Sequence, residues 1–220
     1  MHIYTKDGID YPSVTTILNC LGHEAIVKWA NHLGFMHKDY ETTLNESAEF
    51  GTKVHSVLQH VVDPSATVSV TFKNDIERID IDKIEARFRK FIDRYQYDTI
   101  YTEHSIVSPT LGYAGTMDWL ATFFMKYNLL LDFKTSRAVR FHHLLQLGGY
   151  SNLLKVEEGR ELDGAAIILA NRRICSMYII NKEELAKYAE AFNLLAAYYN
   201  AVGKLEMKST PNFFPELTNP

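Results

Sequence analysis

Two acidic residues and a lysine stand in short apolar segments near the middle of the chain, where charged side chains are uncommon. Asp118 interrupts the apolar stretch that follows Gly115, and Asp132 and Lys134 come directly after the leucines at 129–131. Side chains alternate along a β-strand, so Asp132 and Lys134 would share one face of the second segment. Taken alone, this Asp-x-Lys spacing is better explained as an exposed ion pair at a strand end, because the triplet arises by chance about once in a chain of this size.

The acid in the first segment changes that interpretation. If the two segments pair as neighbouring strands, Asp118 faces Asp132, and two carboxylates so close in a partly dry site repel each other unless a cation lies between them. Oxygen ligands of this kind suit Mg²⁺ or Mn²⁺. Such an ion can hold a phosphate oxygen and lower the pKa of a bound water, while Lys134 places that water or stabilises the developing charge. The chemistry that this pattern predicts is phosphodiester hydrolysis.

The charge and the cysteines exclude several classes of protein. A formal net charge of −4 argues mildly against a protein that coats DNA non-specifically, although a local basic groove can still hold phosphates. Cys20 and Cys175 lie far apart, so this chain alone cannot supply a four-thiolate zinc or iron–sulfur site, and we expect no disulfide framework. The first residues lack the pattern of a signal or transit peptide, and no apolar run is long enough to span a membrane. We therefore expect a cytoplasmic protein in a reducing environment, with no membrane partner.

Hydrophobic periodicity and turn residues predict the order of helices and strands. The first part is predicted as a hairpin at 3–11, a helix at 13–22 capped by Ser13, a helix at 24–37, a helix at 48–62 capped by Ser47, and a helix that begins after Asp80 or Asp82. The second part is predicted as strands at 99–107, 113–124 and 128–134, a helix at 141–156, strands at 164–170 and 174–180, and a helix from Asn181 to 202.

This order predicts an α/β fold, with a central mixed β-sheet flanked by helices and an N-terminal helical lobe beside it. The β-β-β-α-β order of the second part is what makes the sheet mixed. We expect a single domain over 1–220, with a mainly helical lobe at 1–97, an α/β core at 98–204 and an irregular tail at 205–220.

Five motifs, in order along the chain, resemble those of a nuclease superfamily. They are Gly51-Thr52-Lys53-Val54-His55, then Glu103, then Gly115-x-x-Asp118, then Asp132-Phe133-Lys134, and finally Gln146-x-x-x-Tyr150. The series resembles the PD-(D/E)XK superfamily, with its restriction-endonuclease-like core, in the RecB-like branch. The segments at 11–18 and 132–136 are similar to those of the mitochondrial genome maintenance exonucleases and their phage and bacterial relatives. The resemblance spans about residues 11 to 180.

The resemblance implies a role for each matching position. Asp118 and Asp132 would bind the metal, and His55 and the main-chain carbonyl of Phe133 would be further ligands. Lys134 would be the catalytic lysine. Glu103 matches the upstream acid, which would support the site or a second metal, and Gly-x-x-Asp stands where many members carry Pro-Asp.

The last motif, Gln146 and Tyr150, matches the part of a helix that lines the active site and contacts DNA. The two residues are four apart and would project together. Gly148 and Gly149 between them indicate a close approach by a backbone or a ligand, or else small residues that pack the helix on the sheet. For His55, which shares a helix face with apolar neighbours, the alternative is a packed core histidine.

The implied reaction is metal-dependent exonuclease cleavage of DNA at single-stranded or frayed ends, in a bacterial or phage-infected cell. Mg²⁺ or Mn²⁺ would be the cofactor, and the cysteines that hold an iron–sulfur cluster in some relatives are missing, so we expect no cluster. The chain contains no G-x-x-x-x-G-K-[S/T] motif, so unwinding would depend on a helicase partner. A single-strand-binding protein is a second expected partner.

Alternatives remain from the same class and from another class. One is a double-strand-end or structure-selective phage recombination nuclease. Another is a non-catalytic nucleic-acid-binding domain of nuclease-like fold, which the intact set of Asp118, Asp132 and Lys134 disfavours. The last is a structural α/β domain in which the motifs arose by coincidence.

Basic and aromatic residues supply candidates for substrate contact. The arginines that could form a basic rim, or could be ordinary solvated charges, are Arg137, Arg140, Arg172 and Arg173. The aromatic residues that could stack on unpaired bases are Trp29, Phe35, Tyr113 and Trp119. A core position is the alternative for both tryptophans.

Overall fold

The structure, a computed structural model, describes residues 3–21, 24–68 and 70–203, and of residues 24–26, 28 and 29 it describes the backbone only. The strands in these residues are β1 (Ile3–Lys6), β2 (Ile9–Pro12), β3 (Tyr97–Ser108), β4 (Tyr113–Phe123), β5 (Tyr127–Lys134), β6 (Gly164–Ala170) and β7 (Cys175–Asn181). The helices are α1 (Val14–Leu18), α2 (Glu24–Phe35), α3 (Tyr40–Val62), α4 (Asp75–Ile92), α5 (Phe141–Glu158) and α6 (Lys182–Gly203). A short 3₁₀ turn, Asn19–Leu21, follows α1.

Five strands form one mixed sheet in the order β3-β4-β5-β6-β7, and β1 and β2 form a separate hairpin. β5 and β6 run parallel because α5 carries the chain back along the sheet between them, while the other neighbours are antiparallel. The predicted α/β fold, a central mixed sheet flanked by helices, is therefore confirmed.

Helices cover both faces of this sheet and form a separate hydrophobic core on each. On one face α1, α5 and α6 pack against the sheet, with Leu130 and Phe192 at the centre. On the other face α3 and α4 pack against it through residues such as Leu58, Phe88 and Leu131. Leu130 and Leu131 are successive residues of β5 that face different cores, which is why this strand is a continuous apolar run.

α5 is buried because α6 lies directly on it. A Cβ atom at Gly148 would overlap the backbone of Tyr188, and one at Gly149 would meet the ring of Phe192 at 2.9 Å. The two glycines therefore allow a close helix-to-helix contact, and not the packing against the sheet that was one of the predicted alternatives.

α3 begins earlier than predicted. Asp39 caps it by accepting a hydrogen bond from the N–H of Thr42 at 2.7 Å. Ser47, the predicted cap, lies inside the helix, where its hydroxyl donates to the carbonyl of Thr43 at 2.8 Å. The prediction was wrong because residues 41–49 are mostly exposed and carry no apolar stripe, and because serine can bond back to the preceding turn of a helix as well as cap one.

α4 begins at Asp75, and not after Asp80 or Asp82 as predicted. Asn74 caps the helix by accepting a hydrogen bond from the N–H of Glu77 at 2.9 Å. The first turns of α4 are largely exposed, so the apolar periodicity used for the prediction starts only where the helix reaches the core.

The other helices and strands lie close to their predicted bounds. The division of the chain at residue 97 stays a prediction, and α3 and α4 share a hydrophobic core with the sheet. The tail at 205–220 lies outside the described residues. None of the helices in the described part combines the length and the apolarity that crossing a membrane requires.

Candidate active site

The candidate site lies where β4 and β5 leave their hydrogen-bonded ladder. Trp119 pairs with Leu131 at the last position of the register, so the next residue of each strand, Asp118 and Asp132, stand side by side. Phe133 belongs to the core of α3 and α4, and alternation along the strand turns Asp132 to the opposite face, toward α5. The two acids predicted to face each other are thus adjacent.

Asp118 is held by groups that stabilise its charge. Its Oδ2 accepts a hydrogen bond from the N–H of Phe133 at 2.7 Å and lies 3.3 Å from Nδ1 of His55, which α3 brings to the strand ends. Burial alone would raise the pKa of Asp118, but the charge and hydrogen bond of His55, together with Lys134 and the Phe133 N–H, lower it. Burial is the largest influence on His55 and opposes its charged form, but the charge and hydrogen bond of Asp118, together with the charge of Asp132, outweigh it and raise the pKa of the imidazole.

Asp132 has a less favourable environment. The residue is 1% exposed, and its Oδ2 lies 2.5 Å from Nζ of Lys134. The contact is close but poorly aligned, so that no described residue gives this oxygen a well-formed hydrogen bond. Burial raises the pKa of Asp132 to about 6, with Lys134 opposing the shift and Asp118 adding to it. A buried carboxylate whose one ion pair does not offset the cost of burial lowers stability, so the fold alone gives no reason for it.

Glu103 lies on β3, beside Asp118. Its neighbours on both sides pair with β4, while Glu103 itself has a φ of 48°, in the left-handed region. Although the residue as a whole is exposed, partial burial of the carboxyl and the negative charge of Asp118 raise the pKa of Glu103. A left-handed residue other than glycine within a strand is uncommon, and such positions cluster at functional sites.

Gln146 and Tyr150 are buried on the face of α5 that covers the acids. Nε2 of Gln146 donates to the hydroxyl of Tyr150 at 2.8 Å. Burial raises the pKa of Tyr150 well above its usual value, and the charges of Asp132 and Asp118 add to the effect, so the phenol keeps its proton. A Cβ atom at Gly115 would overlap the ring of Tyr150, which gives the glycine of the Gly-x-x-Asp motif a steric reason.

The donor chemistry of the site fits a divalent cation. Asp118 and Asp132 offer carboxylate oxygens and His55 an imidazole nitrogen, and the observation that favours an ion is the buried Oδ2 of Asp132, which contacts Lys134 but has no well-formed hydrogen bond from the described residues. Within the described residues, however, no group of three or more His, Cys, Asp or Glu side chains is arranged so that it could hold a metal ion. Mg²⁺ or Mn²⁺ binding therefore stays a prediction, as does a role for the Phe133 carbonyl.

The aromatic candidates for base stacking divide into exposed and buried residues. Tyr113 and Trp119 are 1% and 0% exposed, so both are core residues and the stacking hypothesis is wrong for them. Phe35, at the end of α2, is 87% exposed. The side chain of Trp29 lies outside what the structure describes.

The arginines of the predicted basic rim do not all lie together. Arg137, just past β5, lines a cleft with Arg172 and Arg173 of the turn between β6 and β7. Arg140 does not line this cleft; it is the N-cap residue of α5.

One buried titratable residue near the site was not predicted. His143, in the first turn of α5, is 5% exposed, and its Nδ1 accepts a hydrogen bond from the N–H of Arg140 at 3.2 Å. Burial, with the charges of Lys134, His142 and Arg140 adding, lowers the pKa of His143 to about 3. No sequence motif includes this residue, because its proximity to Lys134 arises from the turn between β5 and α5.

Comparisons with known proteins give distant likenesses. No protein-family model matches the sequence, and no curated protein matches it. Among solved structures, a protein of Eubacterium rectale whose exonuclease assignment is provisional shares 12% identity at a TM-score of 0.48, over 71% of this chain and 69% of that chain. SSO0001 shares 16% sequence identity at a TM-score of 0.42, over 88% of this chain and 79% of that chain. LHK-Exo, in complex with dAMP, shares 11% sequence identity at a TM-score of 0.36, over 70% of this chain and 92% of that chain. At TM-scores this low the likenesses carry no argument, so function is argued from the site.

Proposed function

We propose that this protein is a metal-dependent deoxyribonuclease that hydrolyses phosphodiester bonds at the site of Asp118, Asp132 and Lys134. The observation that supports the proposal is the buried Asp132, whose Oδ2 contacts Lys134 without a well-formed hydrogen bond from any described residue. An acid so placed beside a second acid is costly in an empty site and useful in one that binds a cation and a phosphate. A binding-only domain would have no need of it.

In this proposal Asp118 and Asp132, with His55, would hold Mg²⁺ or Mn²⁺, which supplies charge neutralisation on the phosphate and a more acidic bound water. The chain's own residues position these ligands and the substrate. The N–H of Phe133 and the imidazole of His55 fix the carboxylate of Asp118.

Lys134 is placed to act on the reacting groups. Its ammonium has three donors, and the contact with Asp132 leaves others to hold the attacking water or to stabilise negative charge on the phosphate. Water attacks phosphorus and gives up a proton, the bond between phosphorus and the leaving oxygen breaks, and that oxygen takes up a proton. Gln146 and the Tyr150 phenol, which keeps its proton, would line the path of the DNA strand.

Cleavage from single-stranded or frayed DNA ends is the narrower form of the proposal. It is supported by the resemblance of the motifs to single-strand exonucleases alone, and it includes a helicase or a single-strand-binding protein as partner. A duplex-end or structure-selective nuclease is the alternative that the same site chemistry would serve.

The test is a nuclease assay of wild type, Lys134→Ala and a matched control, Lys126→Ala, whose lysine lies in the hairpin turn at the other end of β5. Each protein is given a linear single strand, a single-stranded circle and a linear duplex, in Mg²⁺, Mn²⁺ or a chelator. We expect Lys134→Ala to lower the cleavage rate by roughly a thousandfold, because it removes a donor used in the transition state. Lys126→Ala should cleave like wild type.

The circle tests whether cleavage starts at an end, and the duplex tests whether the enzyme prefers a single strand. Rapid loss of the linear single strand with survival of the circle is expected of an exonuclease. Digestion of DNA by Lys134→Ala at the wild-type rate would overturn the site assignment, and preference for the duplex would replace the single-strand proposal with its alternative.

A further inference from the structure

A cleft of about 480 Å³ opens beside the candidate site, between α3 and the turn that joins β6 to β7. The residues that matter for its chemistry are Phe50, Thr135, Arg137, Asn171, Arg172 and Arg173. Thr135 directly follows Lys134, and a Cβ atom at Gly51 would lie 3.6 Å from its hydroxyl. One edge of the cleft therefore lies where β5 ends, at the residue next to Lys134.

The lining of this cleft is basic although the chain as a whole is acidic. Arg137, Arg172 and Arg173 contribute three positive charges, against the lining carboxylate of Glu46 and that of Asp80, which pairs with Arg172, in a protein whose formal net charge is −4. Glu46 itself lies 3.8 Å from Nζ of Lys73. A local excess of positive charge in an acidic protein is suited to a polyanion.

The turn that carries two of these arginines is fixed in position. Oδ1 of Asn171 accepts hydrogen bonds from the N–H groups of Arg173 at 2.9 Å and Ile174 at 3.1 Å. Its Nδ2 donates to the carbonyl of Ser136 at 2.9 Å, and Nη1 of Arg87 donates to its carbonyl at 2.7 Å. One residue thus shapes the turn and ties it to the segment that follows Lys134, which is the preorganisation that a binding site needs.

Arg172 is held at the mouth of the cleft by two neighbours. Its guanidinium carbon lies 4.2 Å from the centroid of the Phe50 ring, and its Nε donates to Asp80 at 2.6 Å. A guanidinium packed on an aromatic ring is restricted in its motion, offers its outer plane to an unpaired base, and can direct its terminal nitrogens at a phosphate.

We propose that this cleft is a nucleotide subsite, which binds the single-stranded DNA next to the bond that is cleaved. The volume falls in the range of sites for molecules of nucleotide size, roughly 300–1,000 Å³, and duplex DNA would leave no unpaired base for the Arg172–Phe50 pair. Arg137, Arg172 and Arg173 bind phosphates of the strand. This subsite rests on the proposed nuclease function and places the strand on the α3 side of Lys134.

The test measures binding apart from cleavage. Fluorescence anisotropy of a labelled oligothymidine of about ten nucleotides, within the site size of single-strand binders, is followed with Lys134→Ala protein in a chelator over a range of salt concentrations. Arg172→Ala/Arg173→Ala is added to this parent, and Lys126→Ala serves as the control for loss of a positive charge elsewhere. We expect the double variant to bind at least roughly tenfold more weakly. The slope of log K against log salt should fall by about 0.7 for each phosphate that the variant no longer neutralises, while the control stays within about twofold of the parent.

Two further variants separate binding from folding. Phe50→Leu keeps an apolar side chain in its place, and Arg172→Lys keeps the charge but loses the planar guanidinium. Both should weaken binding of the single strand while the protein stays folded at the assay temperature, which thermal unfolding of each variant checks. A duplex of the same length should compete poorly. Wild-type affinity in the double variant, no measurable binding by the parent, or equal competition by duplex each overturns the subsite.

Cleavage kinetics keep this proposal distinct from the proposed function. In the background of an intact Lys134, Arg172→Ala/Arg173→Ala should raise KM for the single strand with kcat nearly unchanged, as loss of uniform binding does. A failure of the nuclease proposal would instead appear as no cleavage by wild type while the single strand still binds in the cleft. A kcat loss in the double variant with unchanged KM contradicts the subsite.

Discussion

The two ends of the β4–β5 pair differ in what their side chains do. At the hairpin end Phe123 is 2% exposed and packs among aromatic rings, with Tyr97 and Trp119 at 6.0 and 5.6 Å between centroids. At the other end the same strands place Asp118 and Asp132 side by side, and one oxygen of Asp132 lacks a well-formed hydrogen bond from the described residues. The packed rings at the hairpin end stabilise the fold, whereas the adjacent buried acids at the other end lower its stability.

The difference shows where to look for function in such a fold. Sequences usually satisfy packing and polar pairing together, and departures from these rules concentrate at functional sites. The left-handed backbone of Glu103 lies at the same end of the sheet as the two acids. The comparison thus predicts that substitutions at the two ends change different properties.

The largest effect should come from the hairpin end. Phe123→Ala removes a buried ring from the aromatic cluster, and we expect the free energy of unfolding to fall by about 3–5 kcal/mol. Cleavage per folded molecule should stay near the wild-type rate at a temperature where the variant is folded. Urea denaturation followed by circular dichroism, together with the nuclease assay, checks both parts.

Loss of activity in Phe123→Ala with unchanged stability would break the comparison. The conservative control is Phe123→Leu, which keeps most of the apolar volume and should cost less stability than alanine does.

A smaller effect, on activity alone, is expected from Tyr150→Phe. This change removes the hydroxyl that accepts from Gln146 and faces the acids, and cleavage should fall by roughly ten- to thirtyfold, as for loss of one hydrogen bond near a charge. Tyr113→Phe is the matched control, because Tyr113 is also buried and its hydroxyl donates to the carbonyl of Gly149 at 3.4 Å. Equal activity in the two variants would remove Tyr150 from the site.

Most of the fold could be predicted from the sequence, because the strands β4 to β7 are apolar, aromatic or β-branched segments bounded by turn residues or by a helix. The starts of α3 and α4 could not, since their first turns are exposed and give no periodicity, and Ser47 was therefore predicted as the cap of α3 in place of Asp39. Adjacency of Asp118 and Asp132 could be predicted, because strand pairing fixes it. The Arg172–Phe50 contact and the burial of His143 could not, since both depend on how a helix and a turn from distant parts of the chain pack.

The smallest effect is a pH dependence at the charged end. Burial lowers the pKa of His143 to about 3, whereas the unfolded chain titrates near 6.5. Between these values the unfolded state binds a proton that the folded state excludes, so stability is full above pH 6.5 and is lost as the pH falls toward 3. We expect a loss of about 1.5 kcal/mol between pH 6.5 and 5 from this residue.

His143→Gln should lack that part of the acid dependence, since glutamine can accept the same hydrogen bond without gaining a proton. Urea unfolding at a series of pH values compares the two proteins. Parallel stability curves for wild type and His143→Gln would show that the buried imidazole is not the group responsible.

The central claim is that Asp118 and Asp132 are held together for a divalent cation, and thermal unfolding with and without Mn²⁺ tests it most directly. In a chelator Asp132→Asn should melt at or above the wild-type temperature, because it removes a buried charge that its surroundings disfavour. Mn²⁺ should raise the melting temperature of wild type by several degrees, about 2–4 °C for each kcal/mol of binding energy, and should leave Asp132→Asn nearly unchanged. A variant that is less stable than wild type in chelator, yet gains the same shift with Mn²⁺, would contradict the account.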